Sequence, residues 1–360
     1  MNRLDASGIR KVFDLAAKMT DPINLSIGQP DFEMPAQIRH AAAEAIHSGK
    51  NTYTQTEGIP ALRVALQTRL SEELGRDVPP VLITSGVSGA LVLSMLSLVE
   101  PGDEVLLGDP YFVMYKHLIH LTGGKPVFFD TYPDFRLRRE ALERAVTERT
   151  KILILNSPGN PSGVVHSREE VAMAVAFARE HDLLIISDEI YDLFSYESPA
   201  YSPGAEYADT LILRGFSKTF AMTGWRLGYV AGPEAIIEKM AVLQQYSFVC
   251  APAPGQHAVL AALEYEMTPH IESYAEKRNF VYNRLKDRFE VVRPGGAFYI
   301  FPKAPGGQGA AFVEKAIENN VLIIPGSVFS ERDTHFRISY ATSMNQLEKG
   351  MDILCRLADS

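Results

Sequence analysis

Seven short runs that are apolar throughout, VLIT, EVLLG, KPVFF, KILIL, DLLIIS, TLILR and LGYVAG, follow one another from residue 80 onward. Helical patterns such as SREEVAMAVAFAREH separate several of them. A strand with one face in water alternates apolar and polar residues, whereas a strand apolar at every position is covered on both faces. The arrangement predicted is an α/β domain around a mostly parallel, seven-stranded sheet flanked by helices. After residue 255 the pattern changes to long helical stretches, HAVLAALEYEM and IESYAEKRNFVYNRLKDRF, and the short strands AFYIF, VLIIP and FRISYA. That end and the first forty or so residues are expected to form a smaller α+β unit. The expected division is a large domain over 45–265 and a small domain over 1–44 and 266–360. A first helix is expected from about Ser7 to Met19, with Ile9, Val12, Phe13, Ala16 and Ala17 on its apolar face.

A chain of 360 residues, 46% hydrophobic, can bury a large core. Its formal charge of −9 gives no basic field for nucleic acid or an anionic membrane. The two cysteines, Cys250 and Cys355, have no neighbouring Cys or His at metal-ligand spacing. Reduced thiols in a cytoplasm, and no metal site, are therefore expected. MNRLDASGIRKVFDLAAKM is charged throughout, and no run of 18 apolar residues occurs, so neither export by a signal peptide nor membrane spanning is expected.

In open α/β sheets ligands bind beyond the carboxyl ends of the strands, which gives weight to the polar residues placed there. VLIT runs into SGVSGAL, where Gly86 and Gly89 permit a tight turn and a helix from about Ser88 offers free N–H groups to a phosphate. Most such turns bind nothing. KILILN runs into NSPGNPSG, whose Asn156 and Asn160 either orient a ligand or cap the turn. DLLIIS runs into DEIYDLF, placing Asp188 and Ile190 on one side of the strand with Tyr191 beside them. A carboxylate there caps the next turn or meets a cationic partner. TLIL runs into RGFSK and brings Lys218 to the same rim. A lysine there either snorkels to solvent or has its pKa lowered by burial, the condition for a nucleophilic, Schiff-base-forming amine. Arg226 favours the second reading, because a phosphate at the Gly86 turn needs a guanidinium opposite it.

These residues resemble the fold type I pyridoxal 5′-phosphate enzymes, and among them the class I/II aminotransferases. SKTFAMTGWRLG at 217–228 is similar to their lysine signature. The resemblance runs in family order through LSIGQPDF, YTQTEGIPALR, TSGVSGAL, GDPYFVMY, NSPGNPSG, SDEIY, PGGAFYIF and FRISYA. It implies that the larger domain binds the cofactor and that Lys218 attaches it, then shuttles the proton between the substrate Cα and the cofactor C4′. It implies that Asp188 pairs with the pyridine nitrogen, and that Asn160 and Tyr191 hydrogen-bond the ring's phenolic oxygen. Phe112 and Ile190 would pack on the two ring faces. Val87, Ser88, Ser217 and Arg226 would surround the phosphate, joined by Tyr53 from a partner subunit. Arg337 would clamp the substrate α-carboxylate, supported by Gly28 and Asn160. Implied too are a cytoplasmic homodimer with the site at the subunit interface, and transfer of an amino group between an L-amino acid and a 2-oxo acid by a ping-pong reaction.

The sequence departs from the family at Gly215, where many members carry a hydroxyl for the phosphate, so Ser217 is expected to supply that contact. Ser88 stands where some aspartate-using relatives have lysine, which leaves aspartate, aromatic and aliphatic donors open. Ile27, Phe32, Glu57, Tyr111 and Tyr299 fit a side-chain pocket or simple packing. A carbon–sulfur lyase on the same scaffold is the alternative reaction. A cofactor-sensing regulator needs a DNA-binding domain, for which about twenty residues ahead of INLSIGQPDF are too few, and a nicotinamide enzyme needs a GxGxxG that is absent.

Overall fold

The computed structural model describes Ala17 and residues 19–359. The helix expected from Ser7 to Met19 lies outside the described residues, apart from its last positions. All seven apolar runs form strands of one sheet: β2 (Leu82–Thr84), β3 (Glu104–Asp109), β4 (Lys125–Asp130), β5 (Thr150–Asn156), β6 (Leu184–Asp188), β7 (Thr210–Gly215) and β8 (Gly228–Ala231). Their order is β2-β8-β7-β6-β5-β3-β4, and every pairing is parallel except those that β8 makes with β2 and β7. The central strands are buried along almost their whole length, which is why they carry no alternation.

Helices cover both faces, and their sequences say why they form. Pro60–Leu74 has proline at its first position, Leu62, Leu66, Leu70 and Leu74 on one buried stripe, and a left-handed Gly75 (φ 65°) ending it. Each such leucine contributes about 1.5–3 kcal/mol by leaving water. Arg168–Glu180 opens on a capping box between Ser167 and Glu170. Gly86–Leu98 is apolar around most of its circumference because it is wedged between the sheet and the helix Glu234–Gln245.

The short strands gather apart from this sheet. β1 (Ile23–Asn24) pairs in parallel with β10 (Val321–Leu322), so the beginning of the described chain lies against its last third. β9 (Tyr299–Ile300), β11 (Ile324–Pro325) and β12 (Phe336–Ser339) form an antiparallel sheet in the order β11-β12-β9. The helices Thr268–Leu285 and Met344–Ala358 pack on this region through Tyr274, Val281, Leu347 and Leu354. Tyr191 and Phe194, just beyond β6, enter the same cluster, so the end of the central sheet meets the small strands there. Both cysteines are free thiols. No helix among the described residues is long and apolar enough to cross a membrane.

Candidate active site

A cavity of about 300 Å3 opens where the carboxyl ends of β5, β6 and β7 face β12. Parallel packing stops these strands side by side, Asn156 in register with Asp188, and their last polar groups interlock. Asn156 Nδ2 donates to the Asp188 carbonyl at 2.9 Å, and its Oδ1 accepts from the Asn160 amide at 2.9 Å. The turn that sequence alone leaves open between capping and ligand binding thus uses Asn156 as the cap. Asn160 is left to face the cavity.

Asp188 is 2% exposed, and burial pushes its carboxyl up to about 6 against the Tyr115 hydroxyl, the Ile190 amide and Lys218, which all favour the charge. Tyr115 donates to Asp188 Oδ2 at 2.7 Å, and the Ile190 amide donates to Oδ1 at 3.2 Å. Lys218 follows β7 and donates its Nζ to the Gly28 carbonyl at 2.6 Å. Burial, then the Arg337 and Arg226 charges, lower its pKa to about 8. Such an amine is largely protonated at neutral pH yet within reach of the free-base form.

Two guanidiniums bound the cavity. Arg226 sits in a left-handed conformation (φ 54°) after the short turn Thr223–Trp225, with its Nη1 donating to the Thr223 carbonyl at 2.9 Å. Gly86 faces it, and a Cβ built on Gly86 would lie 2.7 Å from Arg226 Nη2. The first-turn amides of Val87 and Ser88 have no carbonyl within their helix to bond, and both residues line the cavity with Ser217. The helix begins at Gly86, two residues ahead of the sequence-based start. Arg337, on β12, is 1% exposed. It donates to Asn160 Oδ1 at 3.0 Å and to the Ser26 carbonyl at 2.8 Å, while its buried Nε has no protein partner. Rings of Tyr299 and Phe329 lie 4.4 and 4.6 Å from its guanidinium carbon.

Gly28, Val87, Ser88, Phe112, Asn160, Asp188, Ile190, Tyr191, Ser217, Lys218, Arg226 and Arg337 are all brought together at this cavity. Tyr53, expected from a partner subunit, does not line it and is 82% exposed. Of the pocket candidates only Tyr299 is present; Tyr111 donates to Glu331 at 2.6 Å and Phe32 stacks on His270 at 4.1 Å, so both pack elsewhere. Sequence reasoning missed Tyr115, Leu91 and Thr223 as lining residues. A signal for Tyr115 existed, since it lies three residues beyond Phe112 at a helix start, the spacing that puts two rings on one side. At Gly215 a Cβ would press within 3.1 Å of Ile190 and Val87, which accounts for the missing hydroxyl.

The donor set fits pyridoxal phosphate. A side-chain-free cradle at Gly86 faces a guanidinium, a softened amine lies across the cavity, and a buried acid stands at a strand end. Comparison with known proteins points the same way. The family model described as "Aminotransferase class I and II" matches residues 20–354. A probable aspartate aminotransferase of Methanocaldococcus jannaschii is 40% identical over 97% of this chain and 96% of its own. An aspartate/prephenate aminotransferase of Thermus thermophilus is 36% identical over 96% and 94%. The solved structure of Thermus thermophilus aspartate aminotransferase with maleate superposes with a TM-score of 0.95 at 34% identity, covering 99% of this chain and 98% of that one. The chain belongs to the class I and II aminotransferases. It is a pyridoxal-phosphate-dependent transaminase of fold type I.

Proposed function

We propose that this enzyme moves an amino group between an L-amino acid and a 2-oxo acid in two half-reactions at the cavity around Lys218. When bound, pyridoxal phosphate supplies an electrophilic carbon and a conjugated ring able to hold the electrons released at the substrate Cα. The chain's own residues do the rest. Lys218 would hold the cofactor through its amine and would carry the proton between the substrate Cα and the cofactor's C4′ carbon. Asp188, fixed by Tyr115 and the Ile190 amide, would pair with the ring nitrogen. Val87, Ser88, Ser217 and Arg226 would hold the phosphate, and Phe112 and Ile190 would pack on the two ring faces. Asn160 and Tyr191 would hydrogen-bond the phenolic oxygen. Arg337 binds the α-carboxylate with Gly28 and Asn160 beside it, its neighbouring rings keeping water from the ion pair. The observation that carries this reading is the meeting of Lys218, Asp188 and Arg337 at one cavity.

A homodimer is part of the proposal, since Tyr53 stands exposed here and would complete the phosphate site of a second copy. So is the division into a large unit of 45–265 and a small one of 1–44 with 266–360, placed in a cytoplasm. The helix Ala36–His47 adds Ile38 and Ala42 to the core of the large sheet, which draws the first boundary toward residue 35. Aspartate, aromatic amino acids and N-acetyl-LL-diaminopimelate stand in the names of relatives, and we carry the first two forward as donors. The comparisons do not favour the lyase alternative. A panel of L-amino acids scored by single-turnover spectral change, with 2-oxoglutarate and pyruvate as acceptors, tests the function. Conversion of the cofactor to its amine form supports it; release of pyruvate and ammonia with the cofactor unchanged overturns it.

A further inference from the structure

Beyond its ring beside Arg337, Tyr299 has no role in the assignments above, yet it touches three of the groups they use. It sits on β9, which pairs with β12 at Ser339↔Tyr299, two residues from Arg337. Its ring lies 4.4 Å from the Arg337 guanidinium carbon. Its hydroxyl oxygen lies 3.0 Å from that of Tyr191, and the two share a hydrogen bond. On its other side it abuts Gly28, where a built Cβ would come within 2.7 Å of the oxygen. Both tyrosines are almost fully buried, at 1% and 3% exposed, and both line the cavity. Arg337 and Asp188 are the charged groups that act on the pair, Lys218 shares its cavity, and Tyr274 stands behind Tyr299.

A phenol has one proton to give and two lone pairs to receive with. If Tyr191 gives its proton into the cavity, its oxygen is free to accept from Tyr299, and a hydroxyl that accepts one bond donates a stronger one. Gly28 leaves the Tyr299 oxygen little room to turn elsewhere. We infer that Tyr299 is a positioning residue for the transamination site, acting in two separable ways. Its hydroxyl polarises Tyr191 toward the cofactor's phenolic oxygen, and its ring floors the Arg337 carboxylate clamp. The inference rests on the reading of Tyr191 as the group that faces that oxygen.

The test is the visible spectrum of the holoenzyme against pH, with Tyr299→Phe, Tyr191→Phe and the double variant beside the wild type. A donor at the phenolic oxygen draws charge out of the conjugated system, so weakening it raises the pH at which the band shifts. Tyr191→Phe is expected to raise this midpoint by about one unit or more, and Tyr299→Phe by roughly 10–30% of that shift. The double variant should match Tyr191→Phe alone, because Tyr299 acts through Tyr191. Tyr299→Phe keeps its ring under Arg337 and should leave KM for the amino donor within about twofold, whereas Tyr299→Leu should raise KM about fivefold or more at a smaller cost to kcat. If Tyr191→Phe moves the midpoint and Tyr299→Phe does not, or if their shifts add in the double variant, the inference is overturned and the role of Tyr191 stands. If Tyr191→Phe leaves the midpoint unmoved, the reading of Tyr191 fails and the inference falls with it. Equal melting temperatures of the variants confirm that the readout is local.

Discussion

Arg337 Nη1 donates to Asn160 Oδ1 at 3.0 Å, a bond between β12 of the small antiparallel sheet and the turn after β5 of the large one. A buried guanidinium held at two of its three nitrogens, with the third unpaired, is costly unless an anion completes it. A substrate carboxylate is the anion that the proposed function supplies.

Arg337→Gln keeps some hydrogen-bonding capacity but loses the charge. One charge-assisted bond contributes about 1.5–3 kcal/mol, so kcat/KM should fall by roughly 10- to 150-fold. Steady-state kinetics with a good donor check this, and the cofactor's binding constant should hardly change.

Gly86 faces Arg226 with no side chain between them and adopts φ 69°. Gly86→Ala pushes on the guanidinium and strains the backbone, so pyridoxal phosphate should bind at least about tenfold more weakly. Pyridoxal, which lacks the phosphate, should bind the variant and the wild type alike; equilibrium titration of the apoprotein with each vitamer decides.

The Asp188 carboxyl has its pKa pushed up to about 6, above an unfolded value near 4. Its favourable share of stability is therefore full below about pH 4 and is lost as the pH rises through 6. Asp188→Asn should stabilise the cofactor-free protein at pH 7.5 by on the order of 2–3 kcal/mol, a few degrees in Tm, with the gain shrinking below pH 6. Activity should nearly vanish. Melting curves of the apoproteins at pH 5 and 7.5 measure the difference.

The Lys218 amine, lowered to about 8 by burial and two guanidiniums, becomes a free base as the pH climbs toward that value. Cofactor capture by apoprotein should thus accelerate by up to about tenfold per pH unit below 8 and level off above it. Stopped-flow absorbance from pH 6 to 9 follows this; a flat profile would contradict the assignment.

How far the sequence reaches can be judged from particular residues. The seven strands were legible because burial on both faces leaves a one-dimensional mark, an unbroken apolar run such as KILIL. The rim residues were legible because Asp188 directly follows such a run and Lys218 and Asn160 come within a few residues of one. What lay hidden depends on contacts between distant segments. Tyr115 meets Asp188 across 73 residues and Tyr299 meets Tyr191 across 108, and although the spacing from Phe112 turns Tyr115 toward the cavity, nothing local names the partner of either tyrosine. Tyr111 and Phe32 stayed open between pocket and packing for the converse reason, since an aromatic residue inside a matching motif has the same letter whether it turns to the cavity or, like Phe32 on His270, to packing. The start of the helix at Gly86 carries no capping side-chain hydrogen bond that a sequence pattern could have announced.

The account stands on the Lys218 amine as the point of cofactor attachment. Reducing the holoenzyme with borohydride, digesting it and mapping the peptides by mass spectrometry tests this directly. The account predicts one pyridoxyl phosphate group per chain, on Lys218, and none in Lys218→Ala. Label on another lysine, or a Lys218→Ala variant that still takes up the label, would contradict it.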